Sequence, residues 1–128
     1  KNILANKLQI DKNRIIYNCK DGKHFFYRLD HSELKEEGKR MGHCVGSNPT
    51  YAGRIKRNEI EIISIRDDKN LPHVTIEIEK RTGISRQVSG KANGMPVDKY
   101  LILITEYALE AISEIKEDKE ILMKLMNL

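Results

Sequence analysis

A thiol and an imidazole lie side by side between two glycines in the segment Gly42-His43-Cys44-Val45-Gly46. Glycine accepts positive φ angles and lets the backbone approach a ligand closely, so this segment could present Cys44 as a nucleophile. The other interpretation is a tight turn that packs Cys44 inward, because cysteine is among the most frequently buried residue types. The sequence alone leaves both interpretations open.

A cysteine nucleophile needs a base that takes its proton and a donor that stabilises the oxyanion. At its ordinary pKa of about 8.5 a thiol is only about 3% ionised at neutral pH, and half ionisation requires roughly 2 kcal/mol, which one imidazolium partner can supply. In such a hydrolase or transferase the candidates are Cys44 as nucleophile, His73 or the poorer His43 as base, Gln87 or Asn93 as orienting donor and Arg66 as anion clamp.

Positive charge is concentrated in the first half of the chain. Residues 1–58 carry 13 Lys and Arg against 6 Asp and Glu, a net +7, whereas residues 59–128 carry a net −3. A basic surface of this kind is typical of proteins that bind phosphate, although a solvated face has the same composition. The candidate nucleic-acid-binding cations flank the His43-Cys44 turn on both sides and are Lys35, Lys39, Arg40, Arg54, Lys56 and Arg57.

Further polar residues complete this second hypothesis, in which the chain binds nucleic acid or another anionic ligand. Lys91 is a phosphate contact, and Gln87 and Asn93 are positioning donors. Tyr51 is a candidate for stacking on bases, although aromatic residues make up only 5% of the chain. The binding hypothesis gives no role to Cys44.

Length and composition exclude several classes of protein. A chain of 128 residues predicts one domain, and its opening at Lys1 is compatible with a piece of a longer protein. It contains no apolar run near the roughly 20 residues of a membrane span, so we expect no membrane partner and a cytoplasmic location. Cys19 and Cys44 are expected to stay reduced, and neither a metal nor a cofactor is predicted, since zinc-site spacing is absent. The oligomeric state is left open.

Local patterns in residues 1–58 predict a hairpin followed by two helices. Asp21-Gly22 separates two β-forming segments, 14–19 and 24–28, which is a strong hairpin signal and places Cys19 near the turn. Asp30 and Glu33 fit a helix N-terminus, so we expect a helix over about 31–40. A second short helix follows the Asn48-Pro49 turn and ends near Asn58.

From residue 59 the pattern changes to period two and predicts three strands, 59–66, 73–79 and 84–89, in an antiparallel meander. In an antiparallel pair the residue numbers of facing residues have a constant sum. The apolar residues of the last two strands lie on the same face only if that sum is even. His73, Thr75 and Glu77 then share one face with Gln87. An apolar helix over about 97–115 should cover the other face, and Ile121 to Met126 either extend it or form a separate helix after a break near Lys116-Glu117-Asp118. The fold class is therefore α+β.

Six sequence pieces in one order resemble the PcfJ-like domain of conjugative plasmids, phages and related mobile elements, over about residues 30–97. Asn58 stands where that family usually has glycine, a tolerable departure because asparagine accepts the left-handed conformation. The resemblance implies an accessory protein of a DNA-transfer or phage complex. Separately, the hypothesis that the polar face of the meander forms one site with the His43-Cys44 turn makes Thr75 and Glu77 candidate ligand-binding residues. The pieces are Glu36-Glu37-Gly38, Gly42 to Ser47, Tyr51, Ile62 to Arg66, Pro72 to Ile78 and Gln87 to Asn93.

Overall fold

The computed structural model describes residues 10–42, 49–83 and 85–127, which fall into two units, 1–97 and 98–128. Within its described residues, the first unit contains a sheet, two helices and three short 3-10 turns. Its strands are β1 (Ile15–Asn18), β2 (His24–Arg28), β3 (Ile60–Asp67), β4 (Pro72–Glu79) and β5 (Ser85–Ser89). Its helices are α1 (Leu34–Met41) and α2 (Pro49–Lys56), and the 3-10 turns are Lys12–Arg14, His31–Glu33 and Lys91–Asn93.

All five strands form one antiparallel sheet in the order β1-β2-β3-β4-β5. The predicted hairpin and the predicted meander are therefore parts of the same sheet, joined where β2 pairs with β3. This pairing places Tyr27 opposite Ser64 and Phe25 opposite Arg66, although both helices separate the two strands in the chain. The α+β fold class is confirmed, and the sheet is larger than the sequence pattern indicated.

The local elements of the first unit begin and end where their turn residues predict. Gly22 has a φ of 70° in the first hairpin turn. Before α1, the Asp30 side chain accepts from the Ser32 N–H at 3.3 Å, while Glu33 Oε1 accepts from the Asp30 N–H at 2.8 Å. After α2, Asn58 takes the left-handed conformation with a φ of 61°. The predicted hairpin turn, capping box and terminator are confirmed.

The two faces of the sheet have different neighbours and different chemistry. On one face, buried residues that include Phe25, Tyr27 and Ile62 form a core against which α2 packs through Ala52 and Ile55. We call this the helix-covered face. Helix α1 also lies against the sheet, where it contacts β4. The opposite face, called here the second face, carries Phe26, Ile63, Ile65, Val74 and Ile76.

The second unit is a single helix, α3 (Asp98–Met126), of 29 residues. It is continuous through Lys116-Glu117-Asp118, so Ile121 to Met126 extend the helix, which is the first of the two predicted alternatives. Charged residues such as these are compatible with a helix interior, and nothing in the segment removes a backbone donor or forces a positive φ. In the part of the chain that the structure describes, every helix is too short or too polar to cross a membrane.

Candidate functional site

A buried ion pair joins α1 to the middle of the helix-covered face. The Glu37 side chain is fully buried and Arg66 is 9% exposed. Arg66 Nη2 donates to Glu37 Oε1 at 3.1 Å, and the Thr75 hydroxyl donates to Glu37 Oε2 at 2.7 Å. Both carboxylate oxygens therefore have partners on the sheet, Arg66 on β3 and Thr75 on β4.

The remaining donors of Arg66 are also engaged. Its Nε donates to Ser64 Oγ and its Nη1 to Asn70 Oδ1, each at 3.2 Å. Its Cζ lies 4.9 Å from the centre of the Tyr27 ring, a cation–π distance. The guanidinium charge is compensated by Glu37 inside the protein, which gives Arg66 a structural role. Its predicted role as an anion clamp stays a prediction.

Glu37 was not among the residues selected from the sequence, although a signal for it exists. It lies between Leu34 and Met41 at helical spacing, on the stripe that α1 buries. A carboxylate at such a position needs a buried cation or several donors, since an unpaired buried charge is costly. The helix residues selected from the sequence were cations expected on an exposed side, so a carboxylate on the buried face of the helix was not considered as a site residue.

At the β4–β5 side of the helix-covered face the predicted even-sum register is confirmed from Thr75 to Glu77, but it shifts before Ile78, which lies opposite Ser85. Thr75 lies opposite Ser89 and Glu77 opposite Gln87, which are even-sum pairs. Gln87 Nε2 donates to Ser89 Oγ at 3.0 Å. Glu77, which is 9% exposed, also receives an ion pair from Arg54 of α2 at 3.5 Å. These polar side chains are therefore gathered where the two helices meet the sheet.

The loop after β5 lies next to the end of α1. Gly42 ends α1 with a φ of 71°, and a Cβ added to it would lie 3.8 Å from the Ala92 backbone. Ala92 itself has a φ of 54°, which is uncommon for a residue with a side chain. The loop closes on itself through the Gly90 N–H, which donates to the Gly94 carbonyl at 2.7 Å. Lys91 is thus held, exposed, beside the exit from α1.

This contact places Gly42, the last described residue before the His43-Cys44 segment, beside the loop that follows β5. His43 and Cys44 themselves lie outside the described residues, as does the side chain of Asn93. The predicted convergence of Cys44 with Gln87 stays a prediction. Cys19, the other thiol, is 5% exposed, in agreement with a structural role at the first hairpin.

The predicted placement of His73 beside Thr75 and Glu77 is wrong. The register of β3 and β4 shifts between Ile65 and Arg66, so His73 falls at an irregularity where period-two alternation fails. Its Nε2 lies 2.8 Å from Asp67 Oδ2, and its ring is 6.2 Å from that of His24. His24 pairs with Asp67, and both belong to the second face because they alternate with Phe25 and Arg66. His73 is thus associated with the second face.

This cluster gives no metal site. Within residues 10–42, 49–83 and 85–127, no group of three or more His, Cys, Asp or Glu side chains could hold a metal ion. Asp67 instead stabilises the turn between β3 and β4, because its Oδ1 accepts hydrogen bonds from the Lys69 and Leu71 N–H groups, at 2.8 and 3.0 Å.

The environment of Asp67 predicts a contribution to acid stability. Partial burial acts to raise the pKa of Asp67, but hydrogen bonds from His73 and from the Leu71 and Lys69 N–H groups hold it below its usual value. The ionised carboxylate therefore stabilises the folded state above the unfolded pKa, and this stabilisation is lost as pH falls through the folded pKa. We expect Asp67→Asn to be less stable at pH 7 and to lose less stability between about pH 5 and pH 2.

Urea unfolding at several pH values measures this difference. Asp68→Asn is the matched control, because Asp68 is the exposed neighbour in the same turn and should show the same pH dependence as the unaltered chain. Parallel stability curves for Asp67→Asn and the unaltered chain would contradict the assignment.

The predicted cations lie on the outer sides of α1 and α2. Lys35, Lys39 and Lys56 are exposed. Two exposed arginines have nearby carboxylates: Arg40 Nε lies 2.6 Å from Glu36, and Arg57 Nε 2.7 Å from Glu59. Arg54 is half-buried between Glu59 and Glu77, and Tyr51 is half-buried against the core, so these two are less accessible than the sequence hypothesis assumed.

The comparisons with known proteins give one match. A family model described as PcfJ-like protein matches residues 5–104. No curated protein and no solved structure matches the chain. The match covers most of the chain, including the whole sheet, both helices on it and the loop after β5. The resemblance inferred from the six sequence pieces is thereby confirmed, and the chain belongs to the family of PcfJ-like proteins.

Proposed function

We propose that this PcfJ-like chain is an accessory protein of a mobile genetic element, related to a conjugative relaxosome or a phage complex, and that it binds nucleic acid through the outer sides of α1 and α2. Membership in the family supports the biological context. Binding to protein partners of a DNA-transfer or phage complex belongs to the same proposal. The contact with nucleic acid is supported by the arrangement of the two helices.

The observation that carries this proposal is that α1 and α2 lie on one sheet face with their cations pointing outward. Leu34 and Met41 of α1 are buried, as is Glu37, whereas Lys35 and Lys39, four residues apart, share the exposed side. Lys56 and Arg57 are exposed at the end of α2. One surface therefore presents cations from two elements, which matches a chain of phosphates better than a single anion.

The carboxylates beside Arg40 and Arg57 do not prevent such binding. Exposed ion pairs of this kind contribute little to stability because water and salt screen them, so the arginines can exchange a carboxylate for a phosphate at small cost. Tyr51 packs against the core and is poorly placed for stacking on bases. We therefore expect contacts mainly to the phosphate backbone, with weak dependence on sequence.

A triple charge reversal, Lys35→Glu, Lys39→Glu and Lys56→Glu, tests the proposal. Its matched control is Lys20→Glu, Lys23→Glu and Lys69→Glu, which changes the net charge equally at exposed turn positions outside α1 and α2. Fluorescence anisotropy with labelled single-stranded and duplex DNA, at salt from about 50 to 200 mM, measures affinity and its salt dependence. We expect about tenfold or greater loss for the first triple, and a duplex log–log slope smaller by up to about 2.7.

The control triple should lose much less affinity than the first triple and keep most of the slope. Equal losses for the two triples would show that only net charge matters and would contradict a defined interface. An unaltered chain that fails to bind either DNA at low salt would contradict nucleic-acid binding altogether.

The alternative function, a cysteine-dependent hydrolase or transferase, stays a prediction. Its nucleophile Cys44 lies outside the described residues. Its preferred base, His73, is associated with Asp67 and His24 of the second face, whereas α1, which leads into the Cys44 turn, packs on the helix-covered face. This geometry favours binding over catalysis.

A further inference from the structure

Helix α3 exposes an unusual amount of apolar side chain. Nine of its apolar residues are each more than half exposed. Scattered apolar residues are normal on a protein surface, but a concentration along one helix marks an interaction site. The nine are Ile102, Leu109, Ile112, Ile115, Ile121, Leu122, Met123, Leu125 and Met126.

Four of these nine residues belong to a heptad repeat along the helix. Residues 101, 105, 108, 112, 115, 119, 122 and 126 are separated alternately by four and three positions, and all eight are exposed. We call these residues the heptad stripe, and six of them are apolar. Four are Leu or Ile at 101, 112, 115 and 122, with Ala108 and Met126, while Thr105 and Lys119 are polar.

The length of the heptad stripe points to a helical partner. It extends over 26 residues, close to four heptads, and a repeat sustained this long is the pattern of a coiled coil. The family match ends at residue 104, so almost the whole stripe lies outside the part that this chain shares with the PcfJ-like family model. The partner surface is therefore a feature of this chain beyond the family domain.

The charges beside the heptad stripe indicate which helix fits it. In heptad notation Lys119 occupies an a position and Asp118 the preceding g position. When two identical helices pair in parallel and in register, each a side chain packs against the preceding g residue of the other helix. Lys119 of each copy then lies beside Asp118 of the other copy, and these two opposite-charge contacts offset the like charge of the two Lys119 side chains, which share one a layer.

An antiparallel pair centred on the same stripe lacks this complementarity. It would place Lys119 opposite Ala108 of the other copy, and the neighbouring positions 105, 109 and 112 hold Thr, Leu and Ile. The ammonium group would have no carboxylate nearby. We propose that α3 mediates a homodimer in which two copies of this chain pair through the heptad stripe in parallel and in register.

Analytical ultracentrifugation and light scattering of the full chain, at concentrations up to about 100 μM, test the dimer. We expect the unaltered chain to approach twice its 14.8 kDa mass. Ile115→Asp should weaken association by about a hundredfold or more, because it places a charge in the centre of the stripe. The matched control is Ile121→Asp, which makes the same substitution at a residue of similar exposure outside the stripe, 57% against 67%.

The control should remain a dimer, and circular dichroism should show that both variants keep their helix. An unaltered chain that stays monomeric over the whole range would overturn the proposal. So would an Ile121→Asp variant that dissociates as readily as Ile115→Asp.

A charge exchange tests the parallel register. Lys119→Asp puts two carboxylates from each copy together and should weaken association by about tenfold or more, whereas Asp118→Lys with Lys119→Asp restores the opposite-charge contact. We expect the double variant to recover most of the affinity. A double variant that is as weak as Lys119→Asp would overturn the proposed arrangement.

Discussion

Replacing Glu37 by alanine is expected to destabilise the sheet unit by about 3–5 kcal/mol, because it leaves the buried Arg66 guanidinium without its counter-charge. Glu37 is fully buried and accepts from both Arg66 and Thr75. Its removal therefore breaks the contact of α1 with β3 and with β4 at once. Urea unfolding followed by circular dichroism measures the change in free energy of unfolding.

Two further variants separate a buried-charge effect from a general effect on α1. Glu36→Ala removes the neighbouring, exposed partner of Arg40 and should cost much less stability than Glu37→Ala, because water and salt screen an exposed pair. The double variant Glu37→Leu with Arg66→Met removes both charges and should be more stable than Glu37→Ala alone, since no unpaired ion remains. Similar unfolding free energies for Glu36→Ala and Glu37→Ala would contradict this account.

Tyr27→Ala is expected to have a comparable effect, about 3–5 kcal/mol, for a different reason. The Tyr27 ring is 2% exposed and lies between two cations, with Arg14 Cζ at 5.3 Å and Arg66 Cζ at 4.9 Å from its centre. It also meets the Phe25 ring edge-on at 6.3 Å. Alanine would open a cavity in the core and remove the cation–π contacts of the ring with both guanidinium groups. Chemical unfolding measures the loss.

Tyr27→Phe is the matched control because it keeps the ring. It removes only the hydroxyl, which donates to Glu33 at 3.3 Å and accepts from Arg14 at 3.1 Å. Burial and the Glu33 carboxylate raise the pKa of Tyr27, so the hydroxyl stays protonated and able to donate. We expect Tyr27→Phe to cost about 1 kcal/mol. A phenylalanine variant as unstable as the alanine variant would show that the hydroxyl, and not the packed ring, provides the stability.

Elements set by neighbouring residues were predicted well from the sequence. The turn at Gly22, the Asp30 cap and the left-handed Asn58 each depend on a few adjacent side chains. The register of β4 and β5 was also predictable from Thr75 to Glu77, because period-two alternation favours even-sum pairing of the apolar residues. The shift that places Ile78 opposite Ser85 was not predicted.

The pairing of β2 with β3 could not be predicted in this way. The two strands are separated by both helices, and no local pattern indicates which edges will meet. The irregularity that moves His73 away from Thr75 has the same cause, since it lies in how two strands pair and not in either strand alone.

The candidate site was predicted in part for a related reason. The sequence pattern correctly predicted that Thr75, Glu77 and Gln87 lie on one face of the sheet, because strand periodicity determines which side chains share a face. The partners that come from helices were harder to predict. The contacts of Glu37 with Arg66 and Thr75 span 29 and 38 positions of the chain, and only tertiary packing brings these residues together.

The insertion of α1 and α2 between paired strands has a consequence for the order of folding. The β1–β2 and β3–β4 hairpins each close over short turns and can form early, whereas the β2–β3 ladder requires the ends of a segment of about 30 residues to meet. We expect the two hairpins to be the first ordered parts and their joining to be the slow step. Since closure entropy grows only slowly with length, added residues between α1 and α2 should change stability little.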